Sequence, residues 1–375
     1  MTKITNPKAL GRSNKTNILF KLQNEGGKSR LQLAKSLNLT AASITQLVKE
    51  LIEKGYIIET GNMQRNATGR REVLLSINSA RFASIGVNIE KDKTHIAICN
   101  YDKVIEEKIF YTRQYLASKN AESIAKDVQI LYDKYYSSYE IMGVGVGIAG
   151  TVDEKNGVSI DSHGILDKNY PLCDELKKRI AMDVKIINNV KAQARALIND
   201  REDNFMYVKH SPGIGCAIVV GGKVVDGYNA MAGELGHTIV EKDGKFCECG
   251  KRGCLETVVS EKAIEDKYFA VTGEKKEINE IYALYVNNSS AKQILDDCIC
   301  TLSLAIGNAA TINDPKKIML TGGLFFQKDI FEEFSKKMAE FGFGRFYKII
   351  NVDNDKKIKA FAGARHILLE KLFEV

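Results

Sequence analysis

Proline is scarce, four in 375 residues, so the chain has little punctuation and no obvious flexible linker. No long hydrophobic run stands out. The longest weakly apolar stretch is about ten residues, Ile141 to Gly150, well short of the roughly 20 that a membrane-spanning helix needs. The N-terminus, MTKITNPKAL, lacks the apolar core of a signal peptide. A cytoplasmic protein with no membrane partner is expected. Hydrophobic residues at 44% and charged residues at 27% exclude a disordered chain, a collagen-like chain and a disulfide mini-protein. The length fits two or three domains of about 150 residues.

Excess charge is missing from most of the chain. Residues 1–80 hold 13 Lys or Arg against 5 Asp or Glu, while the remainder holds 41 against 42. All the surplus positive charge sits in the first fifth. That asymmetry is expected of a nucleic-acid-binding end on a near-neutral body, or of a merely solvated basic surface.

The local pattern favours the first reading. A helical pattern runs from about Lys15 to Asn24, with Ile18, Leu19 and Leu22 on one face. Ser29 and Gln32 make a capping box for the next helix, and Thr40 caps a third. The third helix carries Ile44, Leu47, Val48 and Leu51 at core spacing. Two short helices joined by a tight turn describe a helix-turn-helix, whose second helix reads the major groove. Ala41, Ala42, Ser43, Thr45, Gln46 and Lys49 then point away from the core, and small or amide-bearing side chains there suit close approach to base edges. YIIET and EVLLSIN read as a β-hairpin whose tip carries Arg65, Arg70 and Arg71. Such a wing lays arginines along phosphates or into a minor groove.

From Ala83 the pattern changes. FASIGVNIE, KTHIAICN and KVIEEKIFY read as strands, then a helix near Ala121–Tyr135, then the glycine-rich strand MGVGVGIAG. VKIINN, FMYVKH, CAIVVGG, KVVDG, KKIMLTGG and YKIINV are further strands. The β-β-β-α-β order occurs twice, which predicts two similar lobes facing a cleft. The pattern shift divides the chain into residues 1–80 and 81–375.

Five of the eight cysteines are scattered and read as buried thiols. Cys247, Cys249 and Cys254 cluster, and His237 lies ten residues before the first. One imidazole and three thiolates make a closed tetrahedral set for a structural zinc at residues 237–254. The alternative is a pair of reduced structural cysteines with a bystander.

GIGCAIVVGGKVVDGYNAMAGELGHTIV followed by CECGKRGCLE resembles the ROK family of repressors, open reading frames and kinases. SRLQLAKSLNLTAASITQLVKELIEKGYI and TGRREVLLSIN resemble its regulator branch, such as the xylose-operon repressors. The resemblance covers essentially the whole chain. It implies an α/β fold: an N-terminal winged helix-turn-helix, then a two-lobed actin-like domain of the sugar kinase and ribonuclease H type. It also implies that Asn188, Glu234, His237 and Glu256 hydrogen-bond sugar hydroxyls. Against the kinase pattern, Asn88 and Glu90 replace the Asp and Gly of a phosphate loop. Asn189 replaces the general-base Asp, and an amide cannot accept that proton. Ile214 and Ala217 depart from the second phosphate loop.

The expected function is therefore that of a sugar-responsive repressor without enzymatic activity. It would bind double-stranded operator DNA as a homodimer or dimer of dimers, and be released by a sugar. The alternatives are a carbohydrate kinase with an appended DNA-binding domain, predicting sugar-dependent ATP consumption, and a ligand-independent DNA-binding protein, predicting no sugar binding.

Overall fold

The computed structural model describes residues 7–63, 72–90, 93–111, 117–198, 203–341 and 347–352, with Gly363, Ala364, Ile367, Leu368 and Lys371. Its N-terminal part runs α1 (Pro7–Glu25), β1 (Lys28–Ser29), α2 (Arg30–Leu37), α3 (Ala41–Glu53), β2 (Ile57–Met63) and β3 (Glu72–Ile77). Ser29 caps α2 with Gln32 closing the box, and Asn38 ends it in the left-handed region at φ 52°. Thr40 caps α3, which buries Ile44, Val48 and Leu51. Each such burial stabilises by about 1.5–3 kcal/mol. β2 and β3 pair from Ile57↔Ile77 to Met63↔Glu72, and β1 adds to the other side of β3. This is a winged helix-turn-helix. The helix α1 starts eight residues before the expected Lys15, because its first turns are polar and carry no apolar period. The tip residues Arg65, Arg70 and Arg71 lie outside the described residues.

Lobe I follows as β4 (Phe82–Ile89), β5 (Lys93–Asn100), β6 (Val104–Tyr111), α4 (Ala117–Tyr135), β7 (Glu140–Ile148), β8 (Thr151–Asp153), β9 (Val158–Asp161), α5 (Leu172–Lys177) and β10 (Val184–Asn188). A helix, α6 (Asn189–Ala196), leads to lobe II. That lobe contains β11 (Phe205–His210), β12 (Ile214–Val220), β13 (Lys223–Val224), α7 (Leu255–Val259), α8 (Glu261–Thr272), α9 (Ile278–Ala283) and α10 (Ser289–Asn313). It ends with β14 (Lys317–Thr321), α11 (Gly323–Phe326), α12 (Lys328–Phe341) and β15 (Lys348–Asn351).

The two five-stranded sheets have matching orders, β6-β5-β4-β7-β10 and β15-β14-β11-β12-β13 read from the opposite edge. In each, the first three strands form an antiparallel meander, and the last two join parallel to its first strand. This duplication is the actin-like arrangement. β4 and β11 are buried along their whole lengths, as central strands covered on both faces must be.

The alternating glycines of β7 answer to a close approach. A Cβ on Gly145 would lie 1.9 Å from the Gly363 carbonyl, so the C-terminal segment crosses the sheet at backbone distance. Leu368 then enters the N-terminal core beside Phe82. α10 corrects the expectation that no apolar run exceeds about ten residues. Residues 298–313 carry no charge, and α10 is long and apolar enough to cross a membrane by length and composition. It buries eleven residues, including Leu295, Ile299, Leu302 and Ile306, in the core of lobe II.

Candidate functional site

Four donors converge on one point in lobe II. His237 ends a single 3-10 turn, Leu235–His237, and Cys254 stands just before α7. Cys247 and Cys249 sit between them on a knuckle closed by the bridges Ile239↔Cys254 and Phe246↔Arg252. Gly253 has φ +69°, and a Cβ there would stand 1.6 Å from the Glu241 carbonyl. Only glycine fits. The four ligand atoms lie within 4.8 Å of one another. A tetrahedral zinc with bonds near ~2.3 Å to sulfur and ~2.05 Å to nitrogen needs S···S edges of ~3.8 Å and S···N edges of ~3.6 Å. Cys249 and Cys254 are 3.6 Å apart, and Cys247 lies 3.5 Å from His237 Nδ1. The donor set and its edges fit such an ion, so the cluster could hold a metal.

His237 turns its other nitrogen outward. Nε2 is 3.8 Å from Glu234 Oε2, and the ring packs 5.7 Å from that of His163. His163 comes from the loop after β9 in lobe I, so the two lobes meet here. It adopts φ +55°, held by Asp161, whose Oδ1 accepts the His163 amide at 3.0 Å. That bond, with Lys168 nearby, keeps the Asp161 carboxyl below its usual range. Sequence reasoning did not single out His163. The left-handed turn His163-Gly164 after an aspartate was the only available signal.

From this pair a ring of contacts runs through both lobes. Gly236 lies against Glu256, whose Oε2 accepts the Ile214 amide at 3.1 Å. A Cβ on Gly213 would sit 2.4 Å from that oxygen. Gly215 packs on Val190 of α6, and Asn188 caps that helix by accepting the Val190 and Lys191 amides. The Asn188 Nδ2 donates to the Gly150 carbonyl at 2.8 Å, and Gly150 abuts Asp161 and Ser162 beside His163. Asn188, Glu234, His237 and Glu256 thus all belong to one ring. Glu234 and the outer edge of His237 have the freest polar atoms. Asn188 and one oxygen of Glu256 are committed to the backbone.

Asn88, Glu90 and Asn189 gather at the carboxyl ends of β4 and β10. Asn88 is buried and donates to Glu90 Oε1 at 3.2 Å. Glu90 also faces Lys93 at 3.8 Å. Gly147 separates the two amides: a Cβ there would lie 3.4 Å from Asn88 Oδ1 and 3.6 Å from Asn189. Two hollows of about 600 and 610 Å³ on lobe I, near Gln129 and near Cys173, contain none of these residues.

On α3, Ala41, Ala42, Ser43, Thr45, Gln46 and Lys49 are all exposed, opposite the buried Ile44, Val48 and Leu51. Thr45 donates to the Ala41 carbonyl at 2.7 Å, and Gln46 to Glu50 at 3.0 Å. Lys15 of α1 pairs with Glu50 at 2.7 Å and holds its carboxyl below the usual range.

The model of the ROK family matches residues 84–368, and that of a winged helix-turn-helix DNA-binding domain matches residues 12–58. A xylose repressor of Caldicellulosiruptor bescii is 26% identical over 333 residues, 81% of this chain and 82% of that protein. The DNA-binding transcriptional dual regulator NagC of Escherichia coli K12 is 28% identical over 246 residues, 64% of this chain and 60% of that protein. The crystal structure of a ROK family transcriptional regulator, a homolog of the E. coli MLC protein, superposes with a TM-score of 0.81 at 23% identity. It covers 97% of this chain and 98% of that one.

Proposed function

This chain belongs to the ROK family, and from that membership we propose that it is a sugar-responsive transcriptional repressor. The observation that carries the reading is the exposed face of α3, from Ala41 to Lys49, on a winged helix whose core continues into the ROK body through Phe82 and Leu368. The names of the similar proteins, a xylose repressor and an N-acetylglucosamine repressor among them, favour the same reading. Residues 1–80 read double-stranded operator DNA, with Ala41, Ala42, Ser43, Thr45, Gln46 and Lys49 at the bases and Arg65, Arg70 and Arg71 on the backbone or minor groove. Residues 81–375 bind the sugar. A homodimer or dimer of dimers presents two reading helices to two half-sites, in the cytoplasm.

In the cleft, Glu234, His237, Glu256 and Asn188 meet vicinal hydroxyls, and carboxylates, amides and imidazole suit them. His237, Cys247, Cys249 and Cys254 hold a structural zinc. The ion, when bound, fixes the tautomer of His237, so that Nε2 carries its hydrogen-bonding face toward the sugar. No phosphoryl transfer is assigned. Asn189 offers no base for a sugar hydroxyl, and Asn88 and Glu90 close the position a phosphate loop needs.

The test is fluorescence anisotropy of the full chain on its own upstream DNA, titrated with a panel of sugars and without ATP. One sugar should release the DNA at millimolar concentration or below. DNA binding that no sugar alters would transfer the case to a ligand-independent DNA-binding protein.

A further inference from the structure

Lys191 breaks two local rules. It is 5% exposed, although lysine is among the residues least often buried. It also stands in the first turn of α6, where the helix dipole disfavours a cation. Its ammonium is nevertheless satisfied by three acceptors. Nζ donates to Asp226 Oδ1 at 3.3 Å, to the Asp226 carbonyl at 3.4 Å and to the Ala230 carbonyl at 3.1 Å.

Those acceptors lie on a loop with no apolar anchor. None of residues 226–232 is buried, and Tyr228 and Met231 face solvent. The loop closes on itself through Ala230 N–H to the Gly227 carbonyl at 3.4 Å and Ala232 N–H to the Asp226 carbonyl at 3.1 Å. Ala230 has φ +60°, a backbone that costs a non-glycine residue about 1–2 kcal/mol. A strained loop without a hydrophobic hold needs a polar one, and Lys191 ties both of its ends. Gly233 follows, packed so closely that a Cβ would lie 2.5 Å from the Cys216 carbonyl. Glu234 and His237 come next.

We propose that Lys191 is the positioning residue of the ligand site: it pins the 226–230 loop to α6 and so sets where Glu234 and His237 stand. The proposal rests on the sugar-binding reading given above. One turn further along α6, Arg195 meets Glu154 of lobe I at 2.8 Å and Asp226 of lobe II at 3.9 Å. The helix between the lobes therefore holds an element of each with successive cations.

Lys191→Met keeps the aliphatic stem and removes the ammonium. The freed acceptors sit on an exposed loop where water replaces it, so the chain folds. Three quantities are measured on the full-length wild type and variant: amide exchange across 227–232 without sugar, calorimetric affinity for D-xylose, D-glucose and N-acetylglucosamine, and affinity for upstream DNA without sugar. Exchange should quicken at least tenfold. Affinity for whichever sugar the wild type binds should fall at least tenfold, while DNA affinity stays within twofold. Unchanged exchange overturns the pin. Faster exchange with unchanged sugar affinity overturns the positioning role, and an equal loss of DNA affinity does the same by showing a general structural one. A wild type that binds none of the three sugars overturns the sugar reading and the positioning role with it, while exchange still decides the pin.

Discussion

Replacing Arg81 by methionine tests how the reading domain is joined to lobe I. Arg81 Nη1 donates to the Lys54 carbonyl at the end of α3, at 2.7 Å. Nε and Nη2 donate to Glu140 of β7 at 3.1 and 2.9 Å. The guanidinium also lies 4.9 Å from the centre of the Phe82 ring. The ion pair is half-exposed and contributes about 0.5 kcal/mol. The bond to the Lys54 carbonyl contributes about 1 kcal/mol, and the contact with the ring about 0.5 kcal/mol. Together they hold the junction closed by about 2 kcal/mol, or about 30-fold in population. The stack of Tyr56 on Phe82, with ring centres 5.3 Å apart, remains in the variant, so the domain stays attached. Amide exchange is the assay. The Gly55 and Tyr56 amides donate to the Ile52 and Leu51 carbonyls at 2.8 and 2.9 Å, directly beside the lost contact. Their opening should quicken about 30-fold, and the sugar-induced change in DNA affinity should shrink. Wild-type exchange at residues 54–57 would refute the reasoning, because the junction would then be held by its apolar contacts alone.

Metal analysis of the purified chain should give one zinc, and well under one would remove the zinc reading. Gly253→Ala should lose the metal and the sugar response together, since the added Cβ meets the Glu241 carbonyl at 1.6 Å; retained zinc would contradict this. His163→Ala should weaken sugar binding severalfold by calorimetry and leave DNA binding intact, whereas unchanged sugar affinity would place His163 outside the site. Burial pushes the His210 imidazole down to about 4, while the unfolded chain takes up that proton near the usual ~6.5. The unfolded state therefore binds more protons between those values. Stability is untouched above ~6.5 and falls as the pH drops toward ~4, by about 3 kcal/mol in all. Urea denaturation of the wild type and His210→Gln from pH 7.5 to 4.5 checks this, and equal slopes would count against it. Asn189→Asp should give no sugar-dependent ATP consumption in a coupled assay, because Asn88 and Glu90 are unchanged; measurable turnover would show that Glu90 does not bar the nucleotide.

Legibility in the sequence followed the range of each interaction. The caps at Ser29 and Thr40, the core face of α3 and the strands of both meanders are written in residues three to seven positions apart, and the structure agrees with them. The duplicated strand order was readable for the same reason. The metal cluster was legible because Cys247, Cys249 and Cys254 are near neighbours and His237 is only ten residues away. What was not legible depends on distant chain segments. The GVGVG pattern of β7 reads as a strand, but the reason for its glycines appears only when the Gly363 backbone is found lying on it. His163 is one histidine in a polar loop until lobe I sets it against His237. Nothing local in the sequence marks Lys191, and only the position of the 226–230 loop shows that it is buried. α1 and α4 start earlier than the expected Lys15 and Ala121, because their first turns are polar and periodicity has nothing to register there.

On the proposed reading, the signal follows from where the ring around the cleft is divided. His163, Gly150 and the β8–β9 turn belong to lobe I, while Glu234, His237 and Glu256 belong to lobe II. A sugar touching both sides binds the closed arrangement better than the open one, and that difference is all it has to shift the equilibrium. Driving a switch from 1:99 to 99:1 takes about 10⁴-fold discrimination, or about 5.5 kcal/mol. A few hydroxyl bonds made in only one state, at about 1–1.5 kcal/mol each, reach that value only if the loops bearing their partners are already fixed. The knuckle of His237, the Asp161 bond to His163 and the Lys191 pin are three such fixings. They surround the cleft from both lobes, and Arg81 and Leu368 tie lobe I to the helix that reads DNA.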